Sequence, residues 1–363
     1  MKLERISISN FKGIRAQIFE PTKFSCLVGE NNAGKSTVMQ AVVYALNRPT
    51  QLPSSHFYDP AAPVTFELRF SGVDGGHIAR LAEEARQKIA ALVIDGVLCL
   101  QIKYALGEKV AVTVLRRVPI EGRYQSDAIE DAFAGKRGQG AIEQVVAEVY
   151  PEFKAAQPEP LKTIAAGKSF INAQVAELGE AQFELSYAPL PTGIGPSIAP
   201  LLPEPIYIPA VKNLNDDLKT TQSTSFGRLL GLLLEEQGIA TRPLLFLFEE
   251  PELYLHPRSQ RVLFGTLARI SKTHQVVVTT HSPMFFEPRV TASFVRVAKR
   301  PHAPKPVAML YPVNFELNAN EAETFRLARF EHADAAFFSQ GVILFEGESD
   351  DAYCRHVAKL LDA

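Results

Sequence analysis

Cysteine is scarce in this chain. Cys26, Cys99 and Cys354 are widely spaced and odd in number, which excludes a disulfide framework and a cysteine-built zinc site and favours a reducing cytosol. Charge of one sign is also lacking: 38 Lys and Arg stand against 40 Asp and Glu, a net of −2. A basic tail or a uniformly basic nucleic-acid-coating protein is thereby excluded, though local basic patches are not. No apolar run approaches the roughly 18 residues of a membrane span, and Met1-Lys2-Leu3-Glu4-Arg5 opens without the apolar segment of a signal peptide. A soluble, cytoplasmic protein without a membrane partner is expected. What is present is ordinary globular material, 46% hydrophobic and 21% charged over 363 residues, enough for two domains or one large α/β domain with insertions.

The hydropathy pattern predicts short strands over residues 3–9 and 24–28, with Asn10-Phe11-Lys12-Gly13 as a turn, then a helix over 35–47 ended by Arg48-Pro49. Residues 64–70 alternate as a strand. Between 72 and 188 helices (78–92, 141–149) mix with strands (98–104, 111–116), with no repeat and no catalytic cluster. Seven prolines fall within residues 189–209. Proline removes backbone donors, so this stretch cannot be a central strand or a helix and reads as an extended connection. The apolar runs 244–248 and 275–280, with helix-like residues 257–271 between them, form the βαβ pattern of a buried parallel sheet.

Gly29-Glu30-Asn31-Asn32-Ala33-Gly34-Lys35-Ser36 fits G-x-x-x-x-G-K-[ST], with a strand before it and a helix after it. Glycines let backbone amides curl around a phosphate, and the helix N-terminus adds partial positive charge. Lys35 would reach the β- and γ-phosphates and the Ser36 hydroxyl would ligate Mg²⁺, which predicts nucleotide binding over Gly29, Asn31, Asn32, Ala33, Gly34, Lys35, Ser36 and Thr37.

The apolar run Leu244-Leu245-Phe246-Leu247-Phe248 ends in Glu249-Glu250-Pro251-Glu252. Strand ends of α/β sheets are where ligands bind. A first carboxylate there can hold Mg²⁺, and a second can orient or deprotonate an attacking water. Val276-Val277-Val278-Thr279-Thr280-His281-Ser282-Pro283 sets a histidine at the tip of another buried strand. Taken singly, the acids also read as a solvated helix start and His281 as a loop residue; in this order after a phosphate loop, a hydrolytic site is the stronger reading.

Ile6-Ser7-Ile8-Ser9-Asn10-Phe11-Lys12-Gly13, the loop at 29–37, Phe248-Glu249-Glu250-Pro251-Glu252 with Leu255-His256-Pro257, and Thr280-His281-Ser282-Pro283 resemble ABC-type ATPases of the SMC-like branch. The arrangement is most similar to the OLD (overcoming lysogenization defect) family, which includes the ATPase subunit of Gabija-type anti-phage systems. Tyr207-Ile208-Pro209-Ala210-Val211-Lys212 resembles the segment that closes this family's first ATPase half. The resemblance implies an α/β fold, an ABC-type P-loop ATPase head with a mixed sheet followed by the start of a Toprim α/β domain. It implies Glu249 on the Mg²⁺ side with Ser36, Glu250 as catalytic carboxylate, His281 as switch histidine and Lys35 on the phosphates. ATP and Mg²⁺ are the implied cofactors.

Val342-Ile343-Leu344-Phe345 runs into Glu346-Gly347-Glu348-Ser349-Asp350-Asp351. Glu346 and Asp350 could share one divalent ion, or the acids could favour a helix N-terminus through its dipole. In the family frame the segment looks like the first motif of a Toprim nuclease using Mg²⁺ or Mn²⁺. The expected division is therefore residues 1–335 as the ATPase domain and 336–363 as the opening of Toprim. The family's dimerisation helices and signature segment should fall near 235–242, where too few residues remain, so an incomplete chain is expected. The resemblance further implies DNA as a partner, a homodimer or higher homo-oligomer through the ATPase domain, and a helicase-like partner protein. The rival expectation is an SMC-like, ATP-driven DNA clamp without nuclease activity. The basic stretch Lys299-Arg300-Pro301-His302-Ala303-Pro304-Lys305-Pro306 reads first as a solvated loop, because no aromatic residue is interleaved for base stacking.

Overall fold

The computed structural model describes residues 1–73, 75–79, 81, 83–157, 160–191, 194–210, 243–253, 255–282, 285, 290, 293–314, 353, 354, 356 and 357. Glu346, Asp350 and the segment 235–242 lie outside the described residues, as do Val211 and Lys212. The chain divides into two compact units, one of Met1–Leu68, Tyr104–Val110 and Leu201–Ala363, the other of Arg69–Lys103 and Ala111–Pro200.

The first unit begins with β1 (Lys2–Phe11) and β2 (Ile14–Phe19), an antiparallel pair in the register Ile6 to Phe19 and Phe11 to Ile14. The expected turn holds at Lys12-Gly13, but Asn10 and Phe11 still belong to β1. Asn10 is buried with φ 61° and clamps a distant turn: its Nδ2 donates to the Asp59 and Ala62 carbonyls (2.8 and 2.6 Å), and its Oδ1 accepts from the Asp59 amide (2.7 Å). Then come β3 (Phe24–Val28), buried throughout, α1 (Lys35–Asn47) and β4 (Val64–Ser71) beside β1. Helix α1 buries Lys35, Val38, Met39, Val42, Ala45 and Leu46, the 3.6-residue spacing of a single face. It ends where Arg48 takes φ 49° and its amide donates to the Tyr44 carbonyl, just before Pro49.

The second unit holds α2 (Gly75–Ala79), α3 (Glu83–Ala90), β5 (Leu98–Tyr104), β6 (Ala111–Pro119), α4 (Ser126–Phe133), α5 (Gln139–Val149), α6 (Ile164–Ala176), β7 (Phe183–Pro189) and α7 (Gly195–Ile198). Where one helix is expected over 78–92 there are two, because the Leu81 amide turns back to the Ile78 carbonyl three residues away. Strands β5, β6 and β7 form an antiparallel meander. Helices α4, α5 and α6 enclose a separate core around Ile129, Phe133, Ile142, Val146, Tyr150 and Ile171.

Back in the first unit are β8 (Glu204–Ile208), β9 (Leu244–Glu249), α8 (Pro257–Ile270), β10 (Gln275–Thr279), β11 (Ser293–Arg300) and β12 (Val307–Asn314). The strand order is β12-β11-β3-β10-β9-β8. All pairings are parallel except β11 with β12, so the sheet is mixed, as expected. The proline-rich segment does contain a strand, and against expectation also the short helix α7, which tolerates Pro196 because it lies in the first turn. β8 carries Pro205, and it lies at the end of the sheet order, where a missing amide costs no ladder bond. The core of this sheet gathers Phe24, Cys26, Phe246, Phe248, Val276, Val278, Leu267 and Phe285.

Candidate functional site

Three neighbouring parallel strands, β3, β10 and β9, end together. Leu27, Thr279 and Glu249 stand in one row across the sheet. The loop after β3, the turn after β9 and the residues after β10 therefore emerge side by side, although more than two hundred positions separate the first from the others.

The loop after β3 is built for close backbone approach. Gly29 has φ 144°, and a Cβ there would meet the Val297 carbonyl oxygen at 2.1 Å; Gly34 has φ 115°, and its Cβ would lie 2.8 Å from the Ala308 Cβ. Only glycine fits either place. Asn32 takes φ 63°, a conformation asparagine tolerates. Lys35 follows as the first residue of α1 and is buried, whereas Ser36 is exposed.

The Lys35 ammonium donates to the Gly29 carbonyl (2.8 Å) and the Glu30 carbonyl (3.1 Å), and lies 2.8 Å from His281 Nε2. Its three N–H groups thus have three partners within the chain. Burial lowers the Lys35 pKa from its ordinary value, while the charges of Glu250, Glu252 and Glu249 oppose that shift. His281 Nε2 also lies 3.3 Å from Glu250 Oε1. One ring nitrogen serves one of these partners at a time: with a lone pair it accepts from Lys35, and with a proton it donates to Glu250.

Glu250 takes φ 42°, and its amide donates to the Thr279 carbonyl (2.9 Å) and to Thr279 Oγ1 (3.1 Å). The carboxylate turn is thereby fastened to the end of β10. Glu249 has one buried oxygen, Oε1, without a hydrogen-bond partner. Burial, and then a hydrogen bond to Glu249, raise the pKa of the nearby Tyr207 phenol.

Sequence reasoning missed Glu252 as a site residue. It is buried; its Oε1 accepts from Thr280 Oγ1 (2.6 Å) and from the His281 amide (2.9 Å), while its Oε2 is buried without a partner. An acid directly after a proline gives no periodic signal, and only the facing loop reveals what it does.

The donor set suits a nucleotide with a divalent cation. Mg²⁺ is usually held by one or two carboxylates together with substrate phosphates rather than by an all-protein cage. Among the described residues no group of three or more His, Cys, Asp or Glu is gathered as a metal cage, and the orphaned Glu249 Oε1 is an acceptor that a cation would satisfy. Elsewhere, the basic stretch between β11 and β12 is held by its own chain. Lys305 Nζ sits 4.4 Å from the Tyr58 ring centre, the Arg300 guanidinium 5.6 Å from that of Tyr311, and His302 Nε2 2.8 Å from Arg15 Nη1.

A phosphate loop opening a helix, beside a carboxylate-tipped strand in a mixed sheet, defines a P-loop ATPase head of α/β class. The family described as the AAA ATPase domain matches residues 1–102 and 205–286, about half of the chain, and the chain belongs to it. It is similar to the Old nuclease of Escherichia phage P2, 24% identical over 408 residues, covering 96% of this chain and 68% of the relative. Together these findings show an ATPase domain in a chain similar to the Old nuclease. Two solved structures are also similar. The SMC head domain from Thermotoga maritima is 15% identical, covering 87% of this chain and 100% of its own, with a TM-score of 0.42. The Smc head domain with an extended coiled coil derived from Pyrococcus furiosus is 11% identical, covering 89% and 99%, with a TM-score of 0.45. No helix among the described residues is long and apolar enough to cross a membrane.

Proposed function

We propose that this chain is the ATP-binding and ATP-hydrolysing head of an OLD-family DNA endonuclease, in which nucleotide gates a metal-dependent Toprim nuclease. The observation that carries the ATPase part is the contact of Lys35 with His281 Nε2 at 2.8 Å, beside Glu250 at 3.3 Å from the same nitrogen. It unites the phosphate loop, the carboxylate turn and the histidine in one cluster.

Mg²⁺–ATP, when bound, would supply the phosphoanhydride, and its cation would neutralise phosphate charge. Backbone amides of residues 31–37 would receive the phosphates at the start of α1, where the helix dipole favours negative charge. Lys35 would exchange a carbonyl partner within its own loop for a phosphate oxygen. Ser36 and Glu249 Oε1 would hold the cation and Glu250 would orient and deprotonate the attacking water, with His281 standing between Glu250 and Lys35. Loss of ATP hydrolysis in Lys35→Ala tests this assignment; persistent hydrolysis sinks it.

The nuclease part rests on the similarity to the Old nuclease and on the sequence around Glu346 and Asp350, which would hold Mg²⁺ or Mn²⁺. Glu346→Ala in the intact protein is expected to abolish metal-dependent DNA cleavage and leave ATP binding in place; unchanged cleavage removes the assignment. DNA and a second copy of the ATPase domain are the proposed partners, with residues 1–335 as ATPase and 336–363 as the opening of Toprim. A cytoplasmic role in phage defence or DNA processing, alongside a helicase-like partner, follows the same family reading. The aligned stretch with the Old nuclease, 408 residues, exceeds the 363 of this chain. That length supports additional internal residues in the relative, as expected for dimerisation helices and a signature segment.

A further inference from the structure

We infer that Glu252 is a positioning residue for His281: it holds the histidine loop by two hydrogen bonds to one carboxylate oxygen, and turnover depends on it through that loop. The inference rests on the ATPase reading above and assigns a role to an acid that reading leaves unused.

Glu252 is 7% exposed and Thr280 is fully buried. Glu252 Oε1 accepts from the Thr280 hydroxyl (2.6 Å) and from the His281 amide (2.9 Å), and Thr280 Oγ1 in turn accepts from the Ser282 amide (3.0 Å). A buried carboxylate that accepts two bonds at one oxygen is a strong, direction-specific anchor. It fixes the backbone of residues 280–282, the stretch that aims the His281 ring at Glu250 and Lys35. The attachment is reciprocal, because the Glu250 amide is tied to both oxygens of Thr279. Without Glu252 the strand end would still form, since its ladder to β9 runs through Thr279. The residues just beyond it would lose their fixed direction. A misplacement of about 1 Å at a reacting centre can cost on the order of 100-fold in rate.

The test uses the intact protein, with steady-state ATP hydrolysis, ATP binding and the ring ¹H–¹³C resonance of His281, assigned by its disappearance in His281→Ala. Glu252→Ala is expected to lower kcat about 30- to 100-fold with KM for ATP within about twofold. Glu252→Gln is expected to recover most of that loss, since the amide oxygen accepts the same two bonds. Glu252→Ala combined with His281→Ala is expected to be no slower than His281→Ala alone. Thr280→Val removes one donor and leaves the carboxylate in place; it is expected to lower kcat about tenfold and serves where Glu252→Ala does not fold. Wild-type kcat in Glu252→Ala, a Gln variant as slow as the Ala variant, or full additivity with His281→Ala would each overturn the inference. If the wild type neither binds nor hydrolyses ATP, the ATPase reading itself fails. The resonance then decides the inference alone: displacement by Glu252→Ala and Thr280→Val with restoration by Gln upholds it, and an unmoved resonance overturns it.

Discussion

In the first unit, the residues that matter come from distant parts of the chain. The row Leu27, Thr279 and Glu249 is made by parallel pairing, and parallel neighbours need long crossovers. Around it sit a buried lysine and two carboxylate oxygens without hydrogen-bond partners. The helices of the second unit do the opposite. Tyr124 donates to Glu152 (2.6 Å), Arg123 donates to Glu152 and Glu121 (3.2 and 2.9 Å), and Tyr150 donates to the Arg123 carbonyl (3.1 Å), all within thirty residues of sequence. The matched AAA ATPase family spans 1–102 and 205–286 and omits the stretch holding α4, α5 and α6. The contrast is local and physical: the carboxylate turn of the first unit keeps two buried oxygens unsatisfied where a cation or other ligand would satisfy them, and the Arg123–Tyr124–Glu152 cluster of the second is satisfied by its own groups.

Four substitutions can break or sharpen this contrast. The largest effect is expected for Lys35→Ala, which removes a side chain that touches both the phosphate loop and His281. ATP turnover should fall by about 100-fold or more, read by phosphate release, with the melting of the second unit unchanged. Gly29→Ala drives a Cβ to 2.1 Å from the Val297 carbonyl at a φ of 144°. A loss of about 3 kcal/mol or more is expected by denaturant titration, together with loss of ATP binding.

Gly167→Ala probes the other side. Alanine is ordinarily the better helix former by about 1 kcal/mol, yet here its Cβ would lie 2.6 Å from Phe133 Cε1 and 2.9 Å from Ile142 Cγ2 in the helical core. Overpacking should win and cost about 1–3 kcal/mol, with ATP turnover unaltered. A stabilised Gly167→Ala protein would show that α4 and α5 give way.

The smallest effect is expected for Tyr124→Phe, about 1 kcal/mol at neutral pH. Burial, and then the hydrogen bond to Glu152, push the Tyr124 phenol up to about 12, above its unfolded value of about 10. A raised folded pKa gives stability that is complete below the unfolded pKa and lost as pH rises through the folded one. The stability gap between wild type and Tyr124→Phe should therefore hold to about pH 10 and close towards about pH 12, measured as paired denaturation midpoints.

The elements legible from sequence were those with strong local grammar. The helix over 35–47 starts and stops where glycine, Arg48 and Pro49 put its ends, and the βαβ run over 244–280 appears as β9, α8 and β10. The elements that escaped have weak local signals. Helix α6 carries Gly167 and Ser169 in its interior, and its burial is set by Phe133 and Ile142 from two other helices. The β8 strand hides among prolines because being at the end of the sheet, a tertiary fact, is what makes Pro205 acceptable.

By itself the sequence determined the phosphate loop, the acidic strand end and the histidine, because each is a short run whose chemistry depends on its immediate neighbours. Tertiary structure alone decided that Lys35 meets His281 and that Glu252 holds the loop bearing it. Those contacts depend on strand order and register, and a parallel sheet sets these through pairings that no stretch of sequence contains.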